Sequence, residues 1–183
     1  MTKAFVAGVG MIPFAKPGAS QAYDAMGAEA GRLALADAGI GFEALQQAYV
    51  GYVYGDSTSG QKTLYALGMT GIPIFNVNNN CSTGSTALFL ARQAIESGAA
   101  DCVLALGFEQ MNPGALGTVF NDRPSPFEHF DREAEALVGM PDLPIALRYF
   151  GGAGLAHMRK HGTPSGVSAR RATAPARSSR RRP

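Results

Sequence analysis

The first 108 residues alternate short apolar runs with longer stretches of helical periodicity. The apolar runs have the length and composition of buried strands, and they cover residues 4–9, 48–54, 74–77 and 102–108. Helical spacing fills the intervals between them, at residues 20–39, 61–69 and 81–97. A β-α-β-α-β-α-β order favours parallel strands with right-handed crossovers and helices on both faces of the sheet. We therefore predict an α/β fold with a mainly parallel sheet, in which the third strand is an edge if the strand order is 3-2-1-4.

A cysteine follows the third predicted strand. Cys81 lies in the polar run 78–85, which is poor packing material but suits tight turns and hydrogen bonds. Reactive groups collect at the carboxyl ends of parallel strands, and the first turn of the next helix favours a thiolate by ~1–2 kcal/mol. Cys81 is therefore the candidate nucleophile, and the alternative is an inert packing cysteine. Cys102 falls inside the apolar fourth strand, so we predict that it belongs to the core.

The composition of the main body gives no reason to expect a nucleic-acid partner, and we predict neither such a partner nor a membrane span. The alternative is that residues 163–183 form a basic arm for nucleic acid or a membrane. Of the 183 residues, 46% are apolar and 16% are charged, which is typical of a compact globular protein. The net charge of +2 depends on the arginines of residues 167–183, and without them the chain is net acidic. No apolar run approaches the roughly 20 residues that span a bilayer. Two dissimilar cysteines do not make a disulfide framework, which favours a reducing, cytoplasmic setting.

The remaining residues differ in character from the first 108. Residues 109–162 are rich in turn residues, with helical stretches near 133–138 and 143–160, and we interpret them as a partial loop subdomain. The three histidines, His129, His157 and His161, have no metal-ligand spacing, so we predict no metal site. Residues 163–183 are rich in Arg, Ala, Pro and Ser, which is typical of a disordered tail or of a shifted reading frame in a GC-rich gene.

Several stretches resemble the thiolase superfamily, and among thiolases the sterol-carrier-protein-x type. The most specific stretch is residues 76–93 around Cys81, and the others are residues 8–18, 105–111 and 122–124. The resemblance covers residues 4–162 and only the N-terminal half of a thiolase. It implies a thiolase-like N-terminal α/β domain at 1–108, part of an inserted loop subdomain at 109–162, and a tail at 163–183.

The resemblance implies an acyl-CoA acyltransferase that acts in 3-ketoacyl-CoA thiolysis or in lipid or sterol side-chain metabolism. In thiolases the cysteine that matches Cys81 attacks the keto carbonyl, acetyl-CoA or propionyl-CoA leaves, and a second CoA thiol collects the acyl group. Coenzyme A is then a co-substrate, no cofactor is tightly bound, and the cofactor-binding residues are unknown. Thiolases carry their histidine base and second acid–base group in the other half, so we predict that this chain binds acyl-CoA or forms an acyl adduct poorly and does not turn over.

Two other functions are compatible with the same residues. The first is a non-catalytic thiolase-like fragment that binds partners or acyl-CoA. The second is a ketoacyl-synthase-type condensing enzyme, although residues 78–81 and 108–111 favour a thiolase. The resemblance also implies a homodimer in which strand Ile74–Val77 pairs with its copy. An uncovered edge strand at that place would invite such pairing.

Overall fold

The computed structural model describes residues 3–113, 119–139 and 145–164. Two compact units divide the chain between Ala115 and Leu116, whereas the sequence pattern predicts a boundary after residue 108. Apart from residues 163 and 164, the predicted tail lies outside the described residues. In the part of the chain that the structure describes, no helix is both long and apolar enough to cross a bilayer.

The first unit is a parallel sheet with helices on both faces, as predicted. Its helices and strands, in chain order, are α1 (Tyr23–Ala38), β1 (Gln47–Gly51), α2 (Ser59–Tyr65), β2 (Ile74–Val77), α3 (Thr83–Glu96) and β3 (Val103–Gly107). The strand order is β2-β1-β3, and β1 pairs in parallel with both neighbours. Ala48 of β1 lies opposite Ile74 on one side and Leu104 on the other. The α/β prediction is confirmed.

The predicted first strand, residues 4–9, is wrong. The order 3-2-1-4 would place this segment between the second and fourth predicted strands. Those strands are β1 and β3, and they pair directly with each other, so that order is wrong as well. The segment lies along α1 instead, where the Val9 N–H donates to Asp37 Oδ2 at 2.8 Å. Gly8 and Gly10 approach so closely that a Cβ on either would overlap the α1 backbone. The apolar pattern suits a strand, but none of the described strands pairs with it, and Phe5 stays 85% exposed.

The core has one layer on each face of the central strand. On one face, Leu64 of α2 is fully buried in a hydrophobic cluster that includes Ala48 and Val50 of β1. The other buried members of this cluster are Phe42, Leu45, Tyr52, Leu104 and Leu106. The opposite face packs Tyr49 and Val77 against the small residues of α3, which are Ala87, Ala91 and Ala94. Small alanines bring α3 close to the sheet and so fix where its N-terminus lies.

The ends of α1 show one correct and one wrong prediction. The helix ends at Gly39, as predicted, because glycine adopts the left-handed φ of 69° and returns its N–H to Ala36 O. The predicted start at residue 20, where the Ser20 side chain would be the local N-cap, is wrong. The helix begins at Tyr23, whose N–H donates to the side-chain oxygen of Gln110 at 3.0 Å. A residue distant in sequence supplies the cap that local sequence was expected to supply.

The second unit contains the helices α4 (Glu128–Val138) and α5 (Ile145–His161), in agreement with the predicted helical stretches. They pack against each other around an apolar groove of about 440 Å³ that is lined by Phe130 and Ala153, among others. The Tyr149 hydroxyl donates to Asp131 Oδ1 at 2.6 Å. Burial and this hydrogen bond raise the pKa of Tyr149 to about 12, so the phenol stays protonated at neutral pH.

Candidate functional site

Cys81 lies between the end of β2 and the start of α3, and its side chain is exposed. The helix begins at Thr83 with Ser82 as its N-cap, so Cys81 precedes the cap. The prediction that Cys81 lies on the first turn of the helix is therefore wrong. Cys81 lies two residues before Thr83, the first residue of α3. The thiol donates a weak hydrogen bond to Asn80 Oδ1, with an S···O distance of 3.8 Å.

Polar side chains hold the turn that carries Cys81. Buried Thr83 accepts the Asn79 N–H at 2.8 Å and donates its hydroxyl to the Asn80 carbonyl at 2.6 Å. The Ser82 hydroxyl donates to the Asn79 carbonyl at 2.8 Å, so Ser82 does not cap α3 with its side chain. The first-turn N–H groups of α3 are therefore left without a side-chain cap beside the thiol, and such groups attract negative charge.

Two residues near this edge of the sheet have a strained backbone. Asn80 has a φ of 49°, and Thr58, at the start of α2, has a φ of 68°. Asparagine tolerates the left-handed region, and the Asn80 N–H donates to Asn78 Oδ1 at 3.2 Å, as in a turn closed by a side chain. A β-branched threonine there is a genuine outlier. Strain of this kind clusters at functional sites, which supports a function for this edge.

The carboxyl ends of all three strands meet beside the Cys81 turn. Gly51 ends β1 directly under the start of α3, where a Cβ would lie 2.7 Å from Thr83 Cγ2. The Phe108 N–H, after β3, donates to the Gly51 carbonyl at 3.2 Å, and the Tyr52 N–H donates to Val77 O of β2 at 3.2 Å. The predicted placement of Cys81 at the carboxyl edge of a parallel sheet is thus what the structure shows.

The segment after β3 contributes residues to this edge that are not among the predicted site residues. Both carboxylate oxygens of Glu109 accept backbone N–H groups, from Tyr54 and from Val53, each at 2.9 Å. The Phe108 ring stacks on Tyr52 with centroids 5.1 Å apart. Partial burial raises the pKa of Tyr54, and the negative charges of Glu109 and Cys81 add to the increase. Glu109 therefore joins the loop that follows β1 to the segment that follows β3 at this edge of the sheet.

The other sequence-predicted residues lie elsewhere. Cys102 directly precedes β3 and is partly buried against the core, in agreement with its predicted structural role. His129 lies on α4, and His157 and His161 lie on α5, so all three belong to the second unit. Within residues 3–113, 119–139 and 145–164, no cluster of His, Cys, Asp and Glu side chains has the geometry to hold a metal ion.

Comparison with known proteins identifies the family. The family profile described as "Thiolase, N-terminal domain" matches residues 4–137. The chain belongs to the thiolase family. The predicted resemblance to thiolases of the sterol-carrier type is confirmed, because "Sterol carrier protein 2" of Homo sapiens is 55% identical over 169 residues, which is 89% of this chain. The match covers 30% of that relative, so this thiolase-family chain spans less than a third of its length.

Other matched proteins are more distant. "Benzoylsuccinyl-CoA thiolase subunit BbsB" of Thauera aromatica is 36% identical over 121 residues, which are 64% of this chain and 31% of the subunit. Among solved structures, the "Ltp2-ChsH2(DUF35) aldolase" has a TM-score of 0.59 at 19% identity, and the match covers 87% of this chain and 38% of the other. That structural likeness supports the thiolase-like fold alone. The profile match includes Cys81, Tyr54 and Glu109.

Proposed function

We propose that this chain supplies the nucleophile of a thiolase-type acyl-CoA acyltransferase, and that Cys81 forms the acyl thioester. The observation that carries the proposal is an exposed thiol on a strained turn, at the uncapped N-terminus of α3 and at the carboxyl edge of the sheet. Membership in the thiolase family supports the reaction class. One relative's own name specifies a CoA thioester as its substrate.

The proposed reaction has two steps. The Cys81 thiolate attacks the keto carbonyl of a 3-ketoacyl-CoA, the carbon–carbon bond breaks, and the departing carbanion takes a proton and leaves as acetyl-CoA or propionyl-CoA. A second CoA thiolate then attacks the acyl-cysteine thioester, which releases acyl-CoA and restores the Cys81 thiolate. First-turn N–H groups of α3 stabilise the oxyanion in both steps. Coenzyme A is a substrate throughout, and the scheme involves no metal.

Acylation of one identified cysteine tests this proposal. We expect acetyl-CoA to transfer one acetyl group to Cys81, which peptide mass spectrometry would locate. Cys81→Ala is expected to abolish the adduct because the nucleophile is gone, whereas Cys102→Ser is expected to keep it because Cys102 is packed against the core. Sustained turnover is not expected, because the acid–base partners implied by the resemblance lie outside the matched region. An adduct confined to Cys102, or no adduct on the folded protein, would contradict the proposal. The remaining interpretation would then be a chain that binds acyl-CoA without acyl transfer.

We also propose that two copies pair through β2. This strand is an edge of the described sheet, and its Phe75 ring is 45% exposed and stacked on Tyr49 with centroids 5.0 Å apart. On the adjacent helix α3, Leu88 and Phe89 are each more than half exposed. An edge strand with apolar neighbours offers main-chain hydrogen bonds and apolar area to an identical strand.

Sedimentation equilibrium is the direct measurement of this pairing. The wild-type chain is expected to sediment as a dimer at micromolar concentration, and Phe75→Lys is expected to weaken the dimer about tenfold or more, because it places a charge in the apolar contact. Phe150→Lys changes an exposed ring on α5 and is the matched control. If both variants and the wild type sediment alike, β2 is not the contact.

A further inference from the structure

One face of helix α5 is apolar and exposed. The opposite face packs on α4, where Tyr149 lines the apolar groove between the two helices. On the exposed face, Leu147 and Phe150 have 58% and 76% of their surfaces open to solvent. Gly154 and Met158 extend this face, because residues three or four apart lie on the same side of a helix. These four residues are the exposed face of α5.

No acidic or basic side chain belongs to the exposed face of α5. Arg148 is the one Asp, Glu, Lys or Arg between its first and last residues, and it lies on the packed face with 17% of its side chain exposed. There it pairs with Asp131 of α4 at 4.0 Å, and the same carboxylate accepts the Tyr149 hydroxyl. The carboxylate that α4 brings to α5 is thus directed away from the exposed face. An anionic surface could approach that face without meeting it.

A basic run follows the exposed face along the chain. Arg159 and Lys160 are exposed in the last turn of α5, and residues 167–183 add six arginines. No Asp or Glu occurs from residue 159 onward. A Lys or Arg near an anionic lipid surface strengthens binding by about fivefold, and clusters of roughly four to eight are typical of segments that bind such lipids.

We propose that the second unit binds the surface of a membrane rich in anionic lipids. Leu147 and Phe150 enter the boundary between headgroups and acyl chains, and the cations from residue 159 onward bind the headgroups. A helix with an apolar face and adjacent Lys and Arg residues lies along such a surface. Nucleic acid would satisfy the arginines but not the apolar face, so a lipid surface accounts for both. The inference is independent of acyl transfer, because none of these residues belongs to the Cys81 site.

Sedimentation with lipid vesicles measures the contribution of charge. We expect the full chain to bind vesicles of about one part phosphatidylserine to two parts phosphatidylcholine at least about tenfold more tightly than vesicles of phosphatidylcholine alone. The double variant Arg181→Gln/Arg182→Gln should bind the mixed vesicles about twentyfold more weakly, since each charge contributes roughly fivefold. Lys3→Gln/Lys16→Gln removes the same net charge from the first unit and is the matched control. It should weaken binding by less than about threefold.

A single tryptophan reports whether the exposed face of α5 enters the lipid, because the chain has none of its own. The fluorescence of Phe150→Trp should shift to shorter wavelength on the mixed vesicles and should be quenched by lipids brominated in their acyl chains. Phe14→Trp, at a 95% exposed position in the first unit, is the matched control and should show neither effect. Leu147→Ser should weaken vesicle binding about tenfold, because the burial of one leucine side chain is lost.

Four results would overturn the proposal. The first is equal binding of the wild-type chain to both kinds of vesicle. The second is an unshifted emission of Phe150→Trp on vesicles that bind the protein, since the arginines alone would then make the contact. Binding to duplex DNA but to neither vesicle would assign the basic run to nucleic acid. A shift of the Phe150→Trp emission that needs only a higher protein concentration would mean that a second copy of the chain covers the face.

Discussion

Gly51→Ala should lower the free energy of unfolding of the first unit by about 2 kcal/mol, as forced overpacking commonly does. Gly51 is buried at the end of β1, and a Cβ there would lie 2.7 Å from Thr83 Cγ2 and 3.3 Å from the Thr83 carbonyl oxygen. One of these atoms belongs to backbone and the other to a side chain fixed by two hydrogen bonds. Neither can yield without moving the start of α3.

Gly107→Ala is the matched control for this substitution. Gly107 is the register partner of Gly51 on β3, and the nearest atom to a Cβ there is the Gly51 carbonyl oxygen at 3.5 Å, an ordinary contact. Alanine should therefore be neutral, or stabilise by about 0.5 kcal/mol through the unfolded chain. Urea unfolding followed by circular dichroism measures both variants. Equal stability of the two would contradict the claim that close packing of α3 on β1 depends on Gly51.

The variants Gly51→Ala and Gly107→Ala also test whether packing on β1 affects the Cys81 site. If Thr83 is displaced in Gly51→Ala, its hydrogen bonds to Asn79 and Asn80 weaken, and the Cys81 turn loses its support. Alkylation of Cys81 by iodoacetamide should then change in Gly51→Ala and stay at the wild-type rate in Gly107→Ala. The comparison shows whether the position of the thiol is set by packing beneath the turn.

The parallel sheet could be predicted because each of its elements carries a local signal. The apolar run 74–77 coincides with β2, and Gly39 ends α1 because a left-handed residue is needed there. Residues 4–9 carry the same kind of apolar signal, yet pair with no strand in the described structure. An apolar strand pattern indicates that a segment can pair as a strand. The strand with which it pairs is decided only in the assembled sheet.

The residues of the candidate site also differ in whether local sequence predicts them. Cys81 could be located from local sequence, because a polar turn between an apolar run and a helix is a short-range pattern. Glu109 could not, since it holds an amide 56 positions earlier in the chain, and only the pairing of β1 with β3 brings the two together. Its one sequence signal is its place directly after the fourth apolar run, at the edge where functional residues collect.

Asn80→Val should slow acetylation of Cys81 by about tenfold, whereas Asn80→Gly should leave it within about threefold of wild type. Asn80 has a left-handed φ of 49°, which costs a β-branched residue roughly 1–2 kcal/mol and costs glycine nothing. Since each ~1.4 kcal/mol is a factor of ten in an equilibrium, the ratio of this conformation to other conformations of the turn would fall about tenfold in the valine variant. Chains that leave the conformation lose the hydrogen bonds that the Asn80 carbonyl accepts from the Thr83 hydroxyl and N–H.

The glycine variant decides which part of Asn80 matters. Asn80→Gly keeps the backbone conformation and removes Oδ1, the acceptor of the weak thiol hydrogen bond. A rate near that of wild type, measured by mass spectrometry over a time course, would assign the effect of Asn80→Val to the backbone. Equal slowing in both variants would instead assign it to the side-chain oxygen. The backbone result is the one we expect, because two hydrogen bonds at 2.6 and 3.1 Å depend on the turn, and only one weak contact at 3.8 Å depends on the amide.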